Sequence, residues 1–413
     1  MFRSILKYSY FILCVSALFA IEQKVFSIQL ETPTEWIIPV FNVLLLVYAW
    51  KNRTYLPIKK LFVLSIAGLG LSILLSIPNS EVLEHSIKGT LVWISYLIAF
   101  GGGFWVLNFN QKEKQQFLII CGVGYGVLLL YSFIHYLIIG IRYHNSYKMA
   151  LPFANGHTLL IAMAFPLWIY LTNTWIQNPQ KKWHLILLWG FYTFVIYLSY
   201  SRFYWVMTTL ITVIVFLNYY RKWIKITLVA GVIFSVTAYI AYIKIKEYRD
   251  KHQVWLDPKD HASVFVQIES IFVLSKNEST SERSNRWKVA KMMFFQSMWT
   301  GIGINTFPER YYQYLEKIPQ NNIKNTTRYK DYMNAHNLYI GTMAEQGILG
   351  LFALLFFIGV WFYYWRKLHF VAKLIFVHYL LFGIIEDFTL LVDIIPCFWV
   401  CVTWGIRNLQ ETQ

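Results

Sequence analysis

A histidine and a handful of arginines stand at the edges of long apolar runs, and their chemistry is anion binding and proton transfer. Arg202 lies in LSYSRFYW, where two apolar runs are separated by little more than Ser201 and Arg202. An ionisable group held against a bilayer is costly and usually functional. Its guanidinium is always charged and offers a planar fork of donors that matches phosphate oxygens in pairs; the competing reading is an arginine that snorkels to the interface. Arg142, His144 and Lys148 crowd a second connection, and a local demand for anion binding explains them. Arg283 and Arg286 share a face in RSNRWKVAKMMFFQSMW, where they are open to a phosphate or to pairing with Glu278, Glu282 or lipid headgroups. His336 stands where a hydrophilic stretch re-enters an apolar run, in NAHNLYIGTMAEQGILGLF. A lone histidine is usually structural, but one at a membrane surface beside a basic stretch is a fair general base.

These residues are positioned by a chain built for lipid. Of its 413 residues 57% are hydrophobic, 19% aromatic and 14% charged, with a mean hydropathy of +0.45. A soluble domain carries about 25% charged residues, so an ordinary soluble enzyme is excluded. About twelve apolar runs approach the roughly 20 residues that a spanning helix needs. They fall near 8–21, 36–50, 61–77, 90–109, 117–140, 150–172, 184–200, 203–219, 226–243, 338–365, 371–385 and 388–405. The expected fold is an all-α polytopic membrane protein, one integral membrane domain over 1–413. The first run resembles a signal peptide, but Leu18 fits the small-residue cleavage pattern poorly, so an uncleaved first span is expected.

Charge placement orients the chain, because cytoplasmic loops retain Lys and Arg. One set of short loops holds 17 basic residues, among them Arg3, Lys7, Lys112, Lys114, Arg366 and Lys367; the opposite set holds Lys24, Lys88, Arg142, Lys148 and Arg202. Both termini are therefore expected in the cytoplasm. Much of the net charge of +16 is topology signal, and nucleic acid is not needed to explain it. Residues 244–335 form a long external segment with 15 of the 37 basic and 10 of the 21 acidic residues. Long connections in compact proteins are usually functional. Within it an amphipathic helix is expected, with Trp287, Ala290, Phe294 and Met298 on its apolar side, laid in the headgroup region.

Beyond His336, a continuous helix would align Ile340, Met343, Gly347 and Gly350 below the imidazole, leaving room for a neighbouring helix or a lipid chain. Glu345 would then lie on the opposite face, roughly 13 Å along the axis, paired within the bundle, as would Asp393. Cys14, Cys121, Cys397 and Cys401 all lie in apolar runs and read as small buried hydrophobes. Cys397 and Cys401 are spaced as two metal ligands on a helix would be, but no His or further Cys joins them.

In these residues the chain resembles the bacterial O-antigen ligases and polymerases, a superfamily of polytopic membrane glycosyltransferases. His336 and Asn337 followed by Gly347 and Gly350 reproduce the pattern H-N-x9-G-x-x-G associated with the ligases. Ser201 with Arg202, the stretch Pro152 to Asn155, and Arg286-Trp287 leading to GIGINTF at 301–307 agree with it. The resemblance covers roughly residues 140–360.

The resemblance implies a GT-C-like architecture with a large periplasmic loop, and transfer of a glycan from undecaprenyl diphosphate to a sugar hydroxyl of lipid A-core at the periplasmic face of the inner membrane. His336 would take the acceptor proton or orient that hydroxyl. Arg202 and Arg286 would stabilise the diphosphate leaving group, with Arg283, Arg142, Asn337 and Ser201 binding substrate. Inversion at the anomeric carbon follows from the family. The sequence has no D-x-D, H-E-x-x-H or Walker A pattern, so neither metal, cofactor nor nucleotide sugar is expected. Alternatives are an O-antigen polymerase and, in a different class, a transporter or flippase of the lipid-linked glycan. A transporter calls for internal repeats and polar sites near the midplane, whereas here the basic groups gather at the external surface.

Overall fold

The computed structural model describes residues 2–19, 21–25, 28–32, 34–52, 59–140, 165–172, 182–198, 205, 207–211, 213–214, 278–318, 334–368, 370–385 and 395–411. The chain divides into two compact units, 1–128 with 152–155 and 278–413, and 129–151 with 156–277.

The first unit begins with α1 (Phe2–Ser16), a short antiparallel hairpin of β1 (Ile21–Val25) and β2 (Ile28–Thr32), α2 (Thr34–Lys51), α3 (Lys60–Ser76) and α4 (Leu83–Tyr96). A wider helical turn over Leu97–Gly102 carries α4 into α5 (Gly103–Val106), and α6 (Gln111–Ile139) runs on into the second unit, which holds α7 (Lys182–Leu198). The chain returns to the first unit with α8 (Glu278–Gln296), α9 (Phe307–Leu315), α10 (Leu338–Tyr363), α11 (Phe370–Ile385) and α12 (Ile395–Glu411). The architecture is the expected helical one, with the hairpin as its exception among the described residues.

Five stretches among the described residues are long and apolar enough to cross a membrane: Phe2–Phe19, Lys60–Asn79, Leu83–Val106, Lys112–Ile139 and Leu338–Tyr363. Leu187–Leu198 and Phe370–Ile384 are shorter apolar helices. Of the other expected spans, 226–243 lies outside the described residues, and 150–172 and 203–219 do so in large part. Val43, Leu46, Leu74, Phe352 and Phe356 are exposed along α2, α3 and α10. Lipid tails are the solvent for such faces, since water would not tolerate so much contiguous apolar surface. Together these features make a multi-pass membrane protein.

Contacts fix the helix directions in the first unit. Phe62 at the start of α3 meets Trp361 and Tyr364 at the end of α10, at 5.6 and 5.3 Å between ring centroids. Ser72 near the end of α3 donates to Gln346 Oε1 near the start of α10, at 2.9 Å. The two helices are therefore antiparallel. In the same way Tyr10 OH donates to Phe100 O at 2.9 Å and Arg3 Nη2 to Leu107 O at 3.0 Å, so α1 runs against α4 and α5. One end of the unit thus collects Arg3, Lys7, Arg366 and Lys367, and the other collects Glu81, Arg310 and His336.

At the first of these ends Glu113 accepts from both terminal nitrogens of Arg3, at 3.1 and 2.9 Å, and lies 3.4 Å from Lys7 Nζ. It also accepts from Asn110 N, while its own N–H donates to Asn110 Oδ1. This reciprocal box satisfies backbone donors that a helix start leaves open and ties the first helix to the beginning of α6. Between the ends the core is aromatic: Tyr10, Phe11, Phe109 and Phe117 pack at 5.4–5.7 Å, and Trp361 stacks on Phe376 at 4.7 Å.

The helix expected within 244–335 is present as α8, and the side of it that the protein encloses carries Arg286. Arg286, Val289, Ala290 and Met293 are buried, whereas Trp287 and Met298 are exposed. Of the expected stripe only Ala290 is fully enclosed. The expectation left the arginines open to a phosphate or to an acidic or lipid partner, and Arg286 is instead enclosed by protein.

Candidate functional site

The site is built where α8, α9 and the start of α10 meet. After α8 the chain runs antiparallel beside α10 and bonds to its backbone. Ile302 N donates to Ala344 O and Gly303 N to Glu345 O, while Ile348 N donates to Met298 O and Leu349 N to Trp299 O, at 2.8–3.2 Å. An unbroken helix has no spare carbonyls and amides in its middle to offer. Gly347 supplies them by leaving the helix, at φ 65° and ψ −161°, a region essentially reserved for glycine. A β-carbon at Gly347 would fall 2.4 Å from the Trp299 carbonyl carbon, and one at Gly301 would fall 2.2 Å from that of Glu345. Gly347 of the H-N-x9-G-x-x-G pattern and Gly301 of GIGINTF therefore serve one joint. The room below His336 is filled by the chain's own residues 298–303, not by a neighbouring helix or a lipid chain, and the continuous stripe from His336 to Gly350 does not exist.

His336 precedes α10 with φ 44°, left-handed backbone that histidine adopts more often than most residues. Asn334 holds the turn: its Oδ1 accepts from His336 N at 3.1 Å. The carbonyl of the same Asn334 accepts from Arg286 Nη1 at 2.9 Å. Asn334 thus joins the candidate base and a buried candidate arginine, and the imidazole is left half-buried. Asn337 is the N-cap of α10, accepting from Ile340 N at 3.0 Å and donating to Ile384 O at 2.8 Å. Its amide is engaged at both ends in starting α10 and tying it to α11. Arg283 lies half-buried on α8, three residues before Arg286.

Glu345 does have a partner, although not in the way a continuous helix suggested. Its Oε1 accepts from Phe307 N at 2.9 Å, which places a buried carboxylate at the N-terminus of α9, where the helix dipole and open N–H groups favour negative charge. Thr306, the residue in the capping position, makes no side-chain cap. A second network stitches α9 to the connection after α3. Glu81 accepts from Tyr314 OH at 2.6 Å and lies 3.3 Å from Arg310 Nε, while Arg310 Nη2 donates to Glu81 O at 2.8 Å. Tyr314 also bonds Gln296 at the end of α8. Burial, then the Glu81 bond, push the Tyr314 phenol well above its ordinary range. Ser86 completes the frame by donating to Ile304 O at 2.9 Å.

The structure therefore brings together His336, Asn337 and Arg286, with Arg283 close along the same helix. Arg142, Ser201 and Arg202 lie outside the described residues, as does Asp393. Flanking the Ser201-Arg202 stretch in the second unit, Tyr197 and Trp205 stack at 4.7 Å, and Trp205 Nε1 donates to Tyr197 O. Sequence reasoning missed Asn334, Glu81 and Arg310. Asn334 carried a signal, since an asparagine two residues before a residue in left-handed backbone commonly makes such a turn. The Glu81–Arg310 pair carried none, being 229 residues apart.

No group of three or more His, Cys, Asp or Glu among the described residues could hold a metal ion. What the arrangement can do is hold an imidazole near a cationic helix face at the mouth of a helix bundle. No curated protein matches the chain. The O-antigen ligase family matches residues 185–355, a range that takes in Arg202, Arg286, His336 and both glycines of the pattern. That match lies over the joint between α8 and α10 and makes this part of the chain similar to the O-antigen ligase family.

Proposed function

We propose that the chain is an O-antigen ligase that transfers a glycan from undecaprenyl diphosphate to a sugar hydroxyl of lipid A-core, on the periplasmic face of the bacterial inner membrane. In this reading the acceptor hydroxyl oxygen attacks the anomeric carbon and forms the new glycosidic bond. The bond from that carbon to the diphosphate oxygen breaks, and undecaprenyl diphosphate leaves with the electron pair. His336 accepts the hydroxyl proton. Arg286 and Arg202 are assigned the charge growing on the diphosphate, and Arg283, Arg142 and Ser201 the binding of substrate. Attack opposite the leaving group inverts the anomeric centre, and no metal is required, since fixed guanidinium groups supply the positive charge.

The observation that carries the reading is Asn334, which accepts from the backbone of His336 through its side chain and from Arg286 through its carbonyl. A base for the acceptor and a cation for the leaving group are thereby tied to one residue. The same proposal keeps one integral membrane domain of about twelve spans, with both termini cytoplasmic and 244–335 outside.

The test is a gel of surface lipopolysaccharide from a strain lacking the chain, complemented with wild type or His336→Ala. The expected result is core without O-antigen, and full-length glycan left on undecaprenyl diphosphate, in the deletion and in His336→Ala. Cores capped by a single repeat would mean a polymerase. An unchanged pattern, with transport of labelled lipid-linked glycan and no covalent transfer, would mean a transporter.

A further inference from the structure

One face of α8 packs on the protein, and the opposite face carries aromatic and basic side chains. Trp287, Lys288, Lys291 and Phe295 point away from the buried stripe, followed by Met298 and Trp299. Phe295 is 59% and Trp299 68% exposed. Lys291 Nζ lies 5.9 Å above the Phe295 ring. Such a face needs an occupant, and three observations identify it.

The first is depth. From Lys60 to Asn79 the first ruler covers 20 residues, about 30 Å at 1.5 Å per residue, the thickness of a hydrocarbon core. Asn79 at its end bonds the Thr300 hydroxyl, next to Trp299. The second ruler is α10 beyond its break, from Ile348 to Tyr363, about 24 Å. Its far end is marked by Tyr364, Trp365, Arg366 and Lys367. Both rulers put Trp299 within about one helical turn of the hydrocarbon boundary, where tryptophan belts lie. The second observation is continuity: Leu349 N donates to Trp299 O, and from exposed Leu349 the lipid-facing side of α10 continues through Phe352 and Phe356. The third is charge, since two lysines beside the aromatic groups match anionic headgroups.

We propose that Trp287, Lys288, Lys291, Phe295, Met298 and Trp299 form a docking surface for anionic phospholipid, seated in the interfacial layer of the leaflet on the His336 side. The surface fixes the height of α8, and with it the height of Arg286, relative to the headgroups. It stands whether the chain is a ligase, a polymerase or a transporter.

The test uses the full-length protein in vesicles of phosphatidylethanolamine and phosphatidylglycerol. Trp299, Phe295 and, as a control exposed on α9, Gln313 are each replaced by p-benzoylphenylalanine, irradiated, and analysed by mass spectrometry. Phospholipid adducts are expected at 299 and 295 and not at 313. Phosphatidylglycerol should be enriched among them up to about fivefold over its share of the bilayer, and Lys288→Gln with Lys291→Gln should remove that enrichment. In the unsubstituted protein, hydroxyl radicals generated in the water should leave Met298 and Trp299 unlabelled. The proposal is overturned if 299 and 295 give no lipid adduct, if they link to a second copy or to another part of the chain, if phosphatidylglycerol is not enriched, or if Met298 and Trp299 label freely.

Discussion

Replacing Gly347 by alanine tests the joint between α8 and α10 most directly. At φ 65° and ψ −161° any β-carbon is strained, at about 1–3 kcal/mol. The added carbon would also stand 2.4 Å from the Trp299 carbonyl carbon and oxygen and 2.6 Å from Thr300 N. These are backbone atoms, so the clash is relieved only by moving residues 298–303 away from α10. That movement breaks the hydrogen bonds Ile348 N→Met298 O and Leu349 N→Trp299 O, at about 0.5–1.5 kcal/mol net each. The sum is about 2–6 kcal/mol of destabilisation. Gly359 lies on the same helix, and a β-carbon there would meet nothing within 4 Å, so Gly359→Ala should be neutral or stabilising by up to about 1 kcal/mol. Thermal unfolding of the purified protein in one detergent should separate the two variants by several degrees, with Gly347→Ala the lower. Equal midpoints would refute the joint as described, because the same added methyl would then meet the same surroundings at both positions.

Three further outcomes are expected. His336→Ala should lower transfer in a purified assay by about 10²–10⁴ with the unfolding midpoint unchanged; retained activity removes the imidazole from the chemistry. Asn334→Ala should lower the turnover number more than it raises KM, because the left-handed turn at His336 loses its acceptor, while Asn334→Asp, which keeps an oxygen, should recover much of the rate. Equal defects in both would mean that Asn334 does not act through that turn. Glu345→Ala should lower stability by about 1–3 kcal/mol by removing the acceptor at the start of α9, and Glu345→Gln should lose less; identical unfolding midpoints for the two would show that the carboxylate oxygen at Phe307 N is not what matters.

The helical membrane class, the existence of α8 and the glycine spacing after His336 were legible in the sequence because apolar runs and glycine spacing are local properties. The meaning of the spacing was not. A periodicity argument assumes an unbroken helix, and Gly347 is there to break it, so the residues between His336 and Gly350 do not share the stripe that 100° per residue assigns them. A backbone docking on another backbone has no side-chain signature except the glycines that permit it, and those are Gly301 and Gly347, whose pairing requires the fold. The burial of Arg286 has a different cause. In water the aromatic face of a helix turns inward, but beside a bilayer two solvents compete for it. Lipid can take Trp287 and Phe295, which frees the protein side for Arg286, whose charge needs a carbonyl such as Asn334 O more than it needs apolar company. For a helix lying at a membrane surface, the buried face is therefore better sought from the arginine that must be satisfied than from the tryptophan that looks as though it should be.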